Sequence, residues 1–531
     1  MYVQQLTPVM GSVSLSCLAA ATPIIVALFC MGVMKWAAWK STFLAMIAGV
    51  LIALFIWHMP LKLAALSISY GVTFSLFPVM WIALTAILLF NLTIVSGYFD
   101  TLRAWITANL PEDRRILLVV IGFCFGALLE GIAGFGSPVA VTSSLLIAAG
   151  FAPLEALTYV LIFDTAPVAF GGLGIPVTVL GSVTGLPASE LGAVIGHLLP
   201  PIALILPFYV MAFYAGAKSV RAIWPVLLVA GASFAFCQFF VSNFLSYSLT
   251  DIASSTVSLV ATVAFLKFWQ PRPDRSFNIS WSDSQTPAHP ARALWRGWLP
   301  WIIVTCVIIG WDMLKLNTIM AFSIPWPGLH KNVHISLYNT DYAAIWKFEP
   351  FGTGTAIFIS GILFSVFCRI SPRKYVEAVI ITLRQGWIAV VSVALTLGLA
   401  YLMNYSGMTY TLGFGAASSG PFFYVLSVLL GWVAVFLTGS DTSGNALFGN
   451  LQVSAARSLH LNPLLFAAAN SAGGVMGKMI SPQNIATGVA VTNLKGREGD
   501  VLRKTWAHSI ALSMLLVVIV IVYQWLGTLL H

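Results

Sequence analysis

Six ionisable residues interrupt apolar stretches of this 531-residue chain: Glu130, Asp164, His197, Asp251, Asp441 and Lys478. A charge inside an apolar span is expensive and usually marks function. Asp251, like Glu190, begins an apolar segment and reads as a helix-start residue that complements the helix dipole. Glu130 ends an apolar run and stands directly before GIAGFGSP, and Asp441 stands in TGSDTSGN. The chemistry open to such groups is charge pairing, recognition of a small anion and carriage of a proton. A buried carboxyl or an imidazole suits the last of these, so Glu130, Asp164, His197 and Asp441 are the proton-coupling candidates. His197 alternatively serves as a structural imidazole with one hydrogen bond. Lys478 either neutralises a substrate carboxylate or pairs with a buried acid such as Asp441, because an unpaired buried charge is costly.

These residues fall in two stretches, 129–176 and 437–482, that match one another with gaps. Leu129, Gly131 and Gly136 correspond to Leu437, Gly439 and Gly444. Pro153-Leu154 corresponds to Pro463-Leu464. Asp164-Thr165-Ala166, Gly171 and Pro176 correspond to Asn470-Ser471-Ala472, Gly477 and Pro482. Paired, Gly/Pro-interrupted apolar segments in the two halves of a chain point to a transporter's binding site. Glycine lets the backbone leave a helix and approach a ligand. A half-helix starting near Ser137-Pro138 presents free N–H groups and its positive end, which suits a carboxylate. Thr442, Ser443 and Asn445 add donors in the second copy. The expected substrate site is therefore Gly134, Gly136, Ser137, Thr165, Thr442, Ser443, Asn445, Ser471 and Lys478. Close helix packing is the alternative use of the small residues among these.

The elements that position the site are membrane helices. The chain is 59% hydrophobic and 8% charged, against about 25% charged in soluble domains. The expected fold class is an all-α polytopic membrane protein of 12–14 membrane-embedded helical segments, arranged as two inverted repeats that each contain a re-entrant or broken hairpin. Residues 1–268 form the N-terminal half and 297–531 the C-terminal half. Between them, 269–296 is rich in Pro, Ser, Asp and Arg and reads as a cytoplasmic linker. The six cysteines form no CxxC, so neither a metal cluster nor a disulfide framework is expected. The N-terminus lacks the basic region of a cleavable signal peptide. Most of the 26 Lys and Arg residues cluster in loops 35–40, 98–115, 216–222, 267–296, 369–384 and 495–504. The positive-inside rule makes those loops cytoplasmic and places both termini outside. The net charge of +9 is thus topogenic, and no nucleic-acid partner is expected.

The long motifs GFCFGALLEGIAGFGSPVAVT (122–142), TAPVAFGGLGIP (165–176), NYSGM (404–408), FLTGSDTSGNALFGNLQ (436–452) and GGVMGKMISPQ (473–483) resemble the lactate permease family. The likeness extends through KFWQP (267–271) and FGTGTAI (351–357). The resemblance implies import of L-lactate, D-lactate and glycolate by proton symport across the bacterial cytoplasmic membrane, without a cofactor. The broken hairpins are also similar to the ion transporter superfamily, whose members move a transport domain against a scaffold, often as homodimers. Two positions depart from the family pattern. Asp164 stands where familiar members have Asn, and His197 where they commonly have Arg. Asn to Asp adds a negative charge and Arg to His removes a positive one, so both changes disfavour an anion unless Asp164 is protonated or paired.

No HExxH, GxSxG or Walker sequence is present, so no enzymatic chemistry is expected. A channel would want polar rings along a continuous pore, whereas isolated charges at paired breaks suit a carrier. The leading expectation is a proton-coupled carrier of small 2-hydroxymonocarboxylates. The alternative is a sodium-coupled or differently specific organic-anion carrier, with Asp164, Asn470, Asn404 and carbonyls at the breaks as ion ligands.

Overall fold

A computed structural model describes the chain except for residues 35, 134–136, 273, 278–290, 317–318, 338, 492–493, 495–496 and 530–531. For residues 32, 103, 106–107, 133, 137, 148, 275, 291–293, 312, 490–491 and 527–529 it describes the backbone alone. Much of the 269–296 linker thus lies outside the described residues.

The first half contains α1 (Val13–Gly32), α2 (Ala38–Phe55), α3 (Leu61–Phe74), α4 (Trp81–Ser96), α5 (Tyr98–Ala108) and α6 (Arg114–Leu117). A π-helical segment, Leu118–Phe125, runs on into α7 (Gly126–Ala133). Next come α8 (Ser137–Ala148), α9 (Pro153–Phe163), α10 (Gly171–Thr184), α11 (Ala188–Leu198), α12 (Pro200–Phe244) and α13 (Thr250–Phe268). The second half contains α14 (Leu299–Met313), α15 (Thr353–Phe367), α16 (Pro372–Ser406), α17 (Met408–Ala417), α18 (Phe423–Thr438), α19 (Asp441–Ser458), α20 (Pro463–Lys478), α21 (Pro482–Val491) and α22 (Glu498–Leu529).

Among the described residues ten helices are long and apolar enough to cross a membrane, or eleven if the bent pair Pro153–Phe163 and Val168–Thr184 is one span. Two shorter apolar helices, Pro138–Ile147 and Thr353–Phe367, add embedded length. The expected 12–14 segments counted some merged stretches separately. Ala188–Phe244, α11 and α12 together, runs over 57 residues, roughly 85 Å at 1.5 Å per residue. That length far exceeds one bilayer core of about 30 Å. Its breaks at Gly216 (φ 77°, ψ 171°) and Ile223 (φ −122°, ψ 15°) bracket Lys218 and Arg221, the basic turn expected there. Likewise Leu61–Ser96 is broken at Phe77 (φ −143°, ψ 117°), just before Pro78.

Both matched stretches are broken helices. In the second copy, Gly439 closes α18 in the left-handed region at φ 70°, which glycine adopts without strain. The Ser440 hydroxyl then caps α19, accepting from Ser443 N at 3.4 Å. In the first copy, Gly172, Leu173 and Gly174 are all left-handed (φ 54°, 60° and 79°), and this turn separates Asp164 from Pro176. Leu173 pays for that conformation with strain of about 1–3 kcal/mol, which surrounding packing must hold.

The two copies pack reciprocally. α10 of the first lies on α19 of the second, where Gly449 faces Leu180, Val183 and Thr184. α21 of the second lies on α8 of the first. Within the second copy, α18 and α20 approach to backbone contact at Gly431, Gly473 and Gly477, the use of small residues that membrane packing favours.

The 315–350 loop adds β2 (Phe322–Pro325), β3 (Val333–Ile335), β4 (Thr340–Asp341) and β5 (Ile345–Phe348). The N-terminal strand β1 (Tyr2–Val3) pairs in parallel with β3, β3 pairs with β4 and β2 with β5. Tyr2 donates its hydroxyl to the carbonyls of Trp57 and Ser406, both at 2.9 Å. The Gln4 amide donates to Asn404 O and Tyr405 O at 2.8 and 3.0 Å. The N-terminus is thereby strapped over the end of α16.

Candidate functional site

A cavity of about 340 Å³ lies where the two broken helices meet. That volume falls within the roughly 300–1,000 Å³ usual for small-molecule sites. Glu130 and the Gly171–Gly172 turn contribute from the first copy. Thr438 to Ser443, Lys478, Gln483 and Asn484 contribute from the second, and Gln385 to Val393 of α16 close one wall.

Lys478 is the last residue of α20 and is 5% exposed. Its Nζ donates to Glu130 Oε1 at 2.6 Å and lies 3.1 Å from Asp164 Oδ2. The sequence left its partner open between a substrate and a buried acid such as Asp441; the acids in contact are Glu130 and Asp164. Gly171 permits the approach, because a Cβ there would stand 2.9 Å from Glu130 Oε1. The unexpected charge at Asp164 is therefore paired.

Asp441 opens α19 on the cavity wall, and its Oδ2 accepts from Ser471 Oγ at 2.6 Å and Asn445 Nδ2 at 3.3 Å. Asn445 also donates to Pro176 O at 3.2 Å, linking the copies. Asn470 donates to Asn445 Oδ1 at 3.0 Å, and Gln452 donates to Asn470 Oδ1 at 3.1 Å. Asn445 and Ser471 thus sit behind the cavity wall, bonded to Asp441. Thr442 and Ser443 line it directly. Ser440, Asp441, Thr442 and Ser443 form the start of a long helix whose first N–H groups and dipole favour an anion.

Other expected site residues fall elsewhere. The Thr165 hydroxyl, in the turn after α9, donates to Ile162 O at the end of that helix at 2.7 Å. His197 sits on α11 with Nδ1 2.7 Å from Ala193 O and its ring against Phe239 and Tyr523; it is not on the cavity wall. Gly134 and Gly136 lie outside the described residues, and Ser137 is described only as the first residue of α8. Sequence reasoning missed Asn484, whose amide donates to Gly439 O and Lys478 O at 3.2 and 3.3 Å and ties the two breaks of the second copy together. Its place just past the matched prolines Pro176 and Pro482 was the available signal. The α16 wall had only Gln385, next to Arg384, and Ser392 to announce it.

The L-lactate permease family model matches residues 16–527. The chain belongs to the L-lactate permease family. It is 39% identical to the L-lactate permease of Escherichia coli (strain K12), covering 96% of both chains. It is 38% identical to the glycolate permease GlcA of the same organism, covering 98% of this chain and 97% of the relative. Among solved structures it is similar to Neisseria gonorrhoeae MtrF, described as one of a class of antimetabolite efflux pumps, with a TM-score of 0.50, 12% identity and coverage of 94% of this chain and 97% of that one. That likeness concerns the fold alone. The molecule is a multi-pass membrane transporter and not an enzyme, as the motifs led one to expect.

Proposed function

We propose that this permease imports small 2-hydroxymonocarboxylates, L-lactate, D-lactate and glycolate, together with protons across a bacterial cytoplasmic membrane. The relatives' names supply the substrate class. The observation that carries the mechanism is Lys478, a buried cation in the cavity wall held by two carboxylates. A substrate carboxylate that takes Lys478 leaves Glu130 without its cation, and an uncompensated buried carboxylate is costly. Taking up a proton removes that cost. One added anion thus calls for one added proton, and the loaded site carries the same net charge as the empty one. The α19 N-terminus, with Thr442 and Ser443, supplies further donors to the substrate.

Alternating access fits the two closures. The cavity reaches Ala38, the first residue of α2, beside a basic loop that the charge rule puts inside. On the opposite side, Tyr401 donates to Ser182 O at 3.1 Å and Asn404 to Val183 O at 3.2 Å, holding α16 against α10. The pairing of β1 with the 315–350 loop sets the N-terminus on the side of a loop read as external, which supports an outside N-terminus. The reciprocal packing of α10 on α19 and α21 on α8 supports two inverted repeats. A homodimer belongs to the same reading, and crosslinking in the membrane tests it.

Ligand-induced thermal stabilisation of the purified protein tests the site. L-lactate and glycolate should raise the melting temperature of the native protein but not of Lys478→Met. Equal stabilisation of both would place the carboxylate elsewhere.

A further inference from the structure

Asn484 stands in the first turn of α21, is 3% exposed and lines the cavity. Its Nδ2 donates to Gly439 O at 3.2 Å and to Lys478 O at 3.3 Å. An amide nitrogen carries two hydrogens, so both are spent. Both partners are carbonyls, which only accept, and this settles which way round the amide sits. Oδ1 remains as an acceptor with no donor among the described residues, and it is not one of the polar atoms closed off in the interior. Tying the two breaks together explains the nitrogen of Asn484 but leaves the oxygen without a use.

The other polar groups of the wall are of a different kind. Lys478 Nζ and the first N–H groups of α19 are donors, which suit a carboxylate. Gln385 Oε1 is taken by the Asn91 amide at 3.1 Å. Glu130 and Asp441 carry the substrate's own sign. Glu130 Oε1 holds Lys478, Asp441 Oδ2 takes Ser471 and Asn445, and the second oxygen of each is closed off. Asn484 Oδ1 is thus a neutral acceptor on a wall of donors and occupied carboxylates. Its amide is bonded to Gly439, the residue before the Ser440 cap of α19. In a 2-hydroxy acid the hydroxyl sits on the carbon next to the carboxylate, so the two groups need neighbouring partners of opposite kind.

We propose that Asn484 is the specificity-determining residue of the cavity, its Oδ1 accepting a hydrogen bond from the substrate's 2-hydroxyl while the donors hold the carboxylate. The inference rests on the 2-hydroxymonocarboxylate reading above and names the residue that reads the hydroxyl. A 2-keto acid sets an acceptor against Oδ1. An acid with hydrogen or fluorine on C2 leaves Oδ1 unpaired. A site built to pair with a substrate hydroxyl rejects the analogue that lacks it.

The test is titration calorimetry of the purified protein with L-lactate, pyruvate and 2-fluoropropionate, whose fluorine has nearly the size of the hydroxyl but donates nothing. The native protein should prefer L-lactate to both by about tenfold. In Asn484→Ala the ratio of L-lactate to 2-fluoropropionate affinity should fall to within about twofold of unity, whatever loss the two ligands share. A merely structural role would weaken both ligands alike and keep the ratio, so a ratio kept in Asn484→Ala would overturn this inference alone. Equal native affinity for L-lactate and 2-fluoropropionate would overturn it without any variant, and would leave the carboxylate site standing. A native protein that binds neither would overturn the 2-hydroxymonocarboxylate reading and this inference with it.

Discussion

Lys478 Nζ stands 2.6 Å from Glu130 Oε1, and the two residues come from opposite copies of the broken-helix motif. The ion pair therefore exists only when the two copies are docked. Asp164, from the copy that holds Glu130, adds a second carboxylate at 3.1 Å.

Removing the cation should be more damaging than removing the cluster. In Lys478→Met two carboxylates stay buried without their partner, and breaking such a pair costs about 3–5 kcal/mol. Uptake should vanish and the melting temperature fall. Adding Glu130→Gln and Asp164→Asn to Lys478→Met should recover most of the melting temperature without recovering uptake. Differential scanning fluorimetry with parallel uptake assays checks both halves.

Asp164→Asn alone should act in the opposite direction on binding. It leaves Lys478 with one full carboxylate, so the lysine is more available to an incoming anion. Lactate affinity should rise by roughly threefold to tenfold, about 0.7–1.4 kcal/mol. Unchanged affinity by titration calorimetry would mean that Asp164 does not compete with substrate for Lys478.

Packing of the second copy sets a further expectation. A Cβ on Gly431 would collide with the Asn470 carbonyl, and backbone cannot rotate out of the way. Gly431→Ala should cost about 1–3 kcal/mol as overpacking and disturb the Asn470–Asn445–Asp441 chain, lowering uptake as well. Gly310→Ala, in α14 with nothing within 4 Å, is the control and should leave stability unchanged or raise it by up to about 1 kcal/mol. Thermal melts of the two variants decide it.

The external closure should be weakened by Tyr401→Phe with Asn404→Ala. The two hydrogen bonds from α16 to the end of α10 contribute roughly 1–3 kcal/mol together. Their loss should raise the outward-open population about fivefold or more. Labelling of Val183→Cys by a membrane-impermeant thiol reagent, in a background without the native cysteines, should quicken accordingly. An unchanged rate would show that Tyr401 and Asn404 do not hold this face shut.

How much of this was legible beforehand depended on whether a residue's meaning is local. The breaks were legible, because glycine, proline and a charge in an apolar run are anomalies within a few residues. So were Glu130, Asp441, Lys478, Thr442 and Ser443 as cavity residues, because they lie at those breaks. The partner of Lys478 was not, since Glu130 is 348 positions away and the contact follows from how the copies dock. His197 looked functional as a lone titratable group; it lies off the cavity wall, with Nδ1 at its own helix's carbonyl and its ring packed against two aromatic rings. Asp251 looked like a helix start, and is one, but its burial against Gly131 depends on a glycine 120 residues earlier. The α16 wall left almost no trace, because an apolar helix facing a cavity reads like one facing lipid.

The central claim is that substrate and proton share the Lys478–Glu130 cavity, and labelled L-lactate uptake into proteoliposomes tests it most directly. An inward proton gradient, with no sodium present, should drive accumulation that glycolate blocks and that Lys478→Met abolishes. Accumulation driven only by an inward sodium gradient, or undiminished in Lys478→Met, would contradict the account.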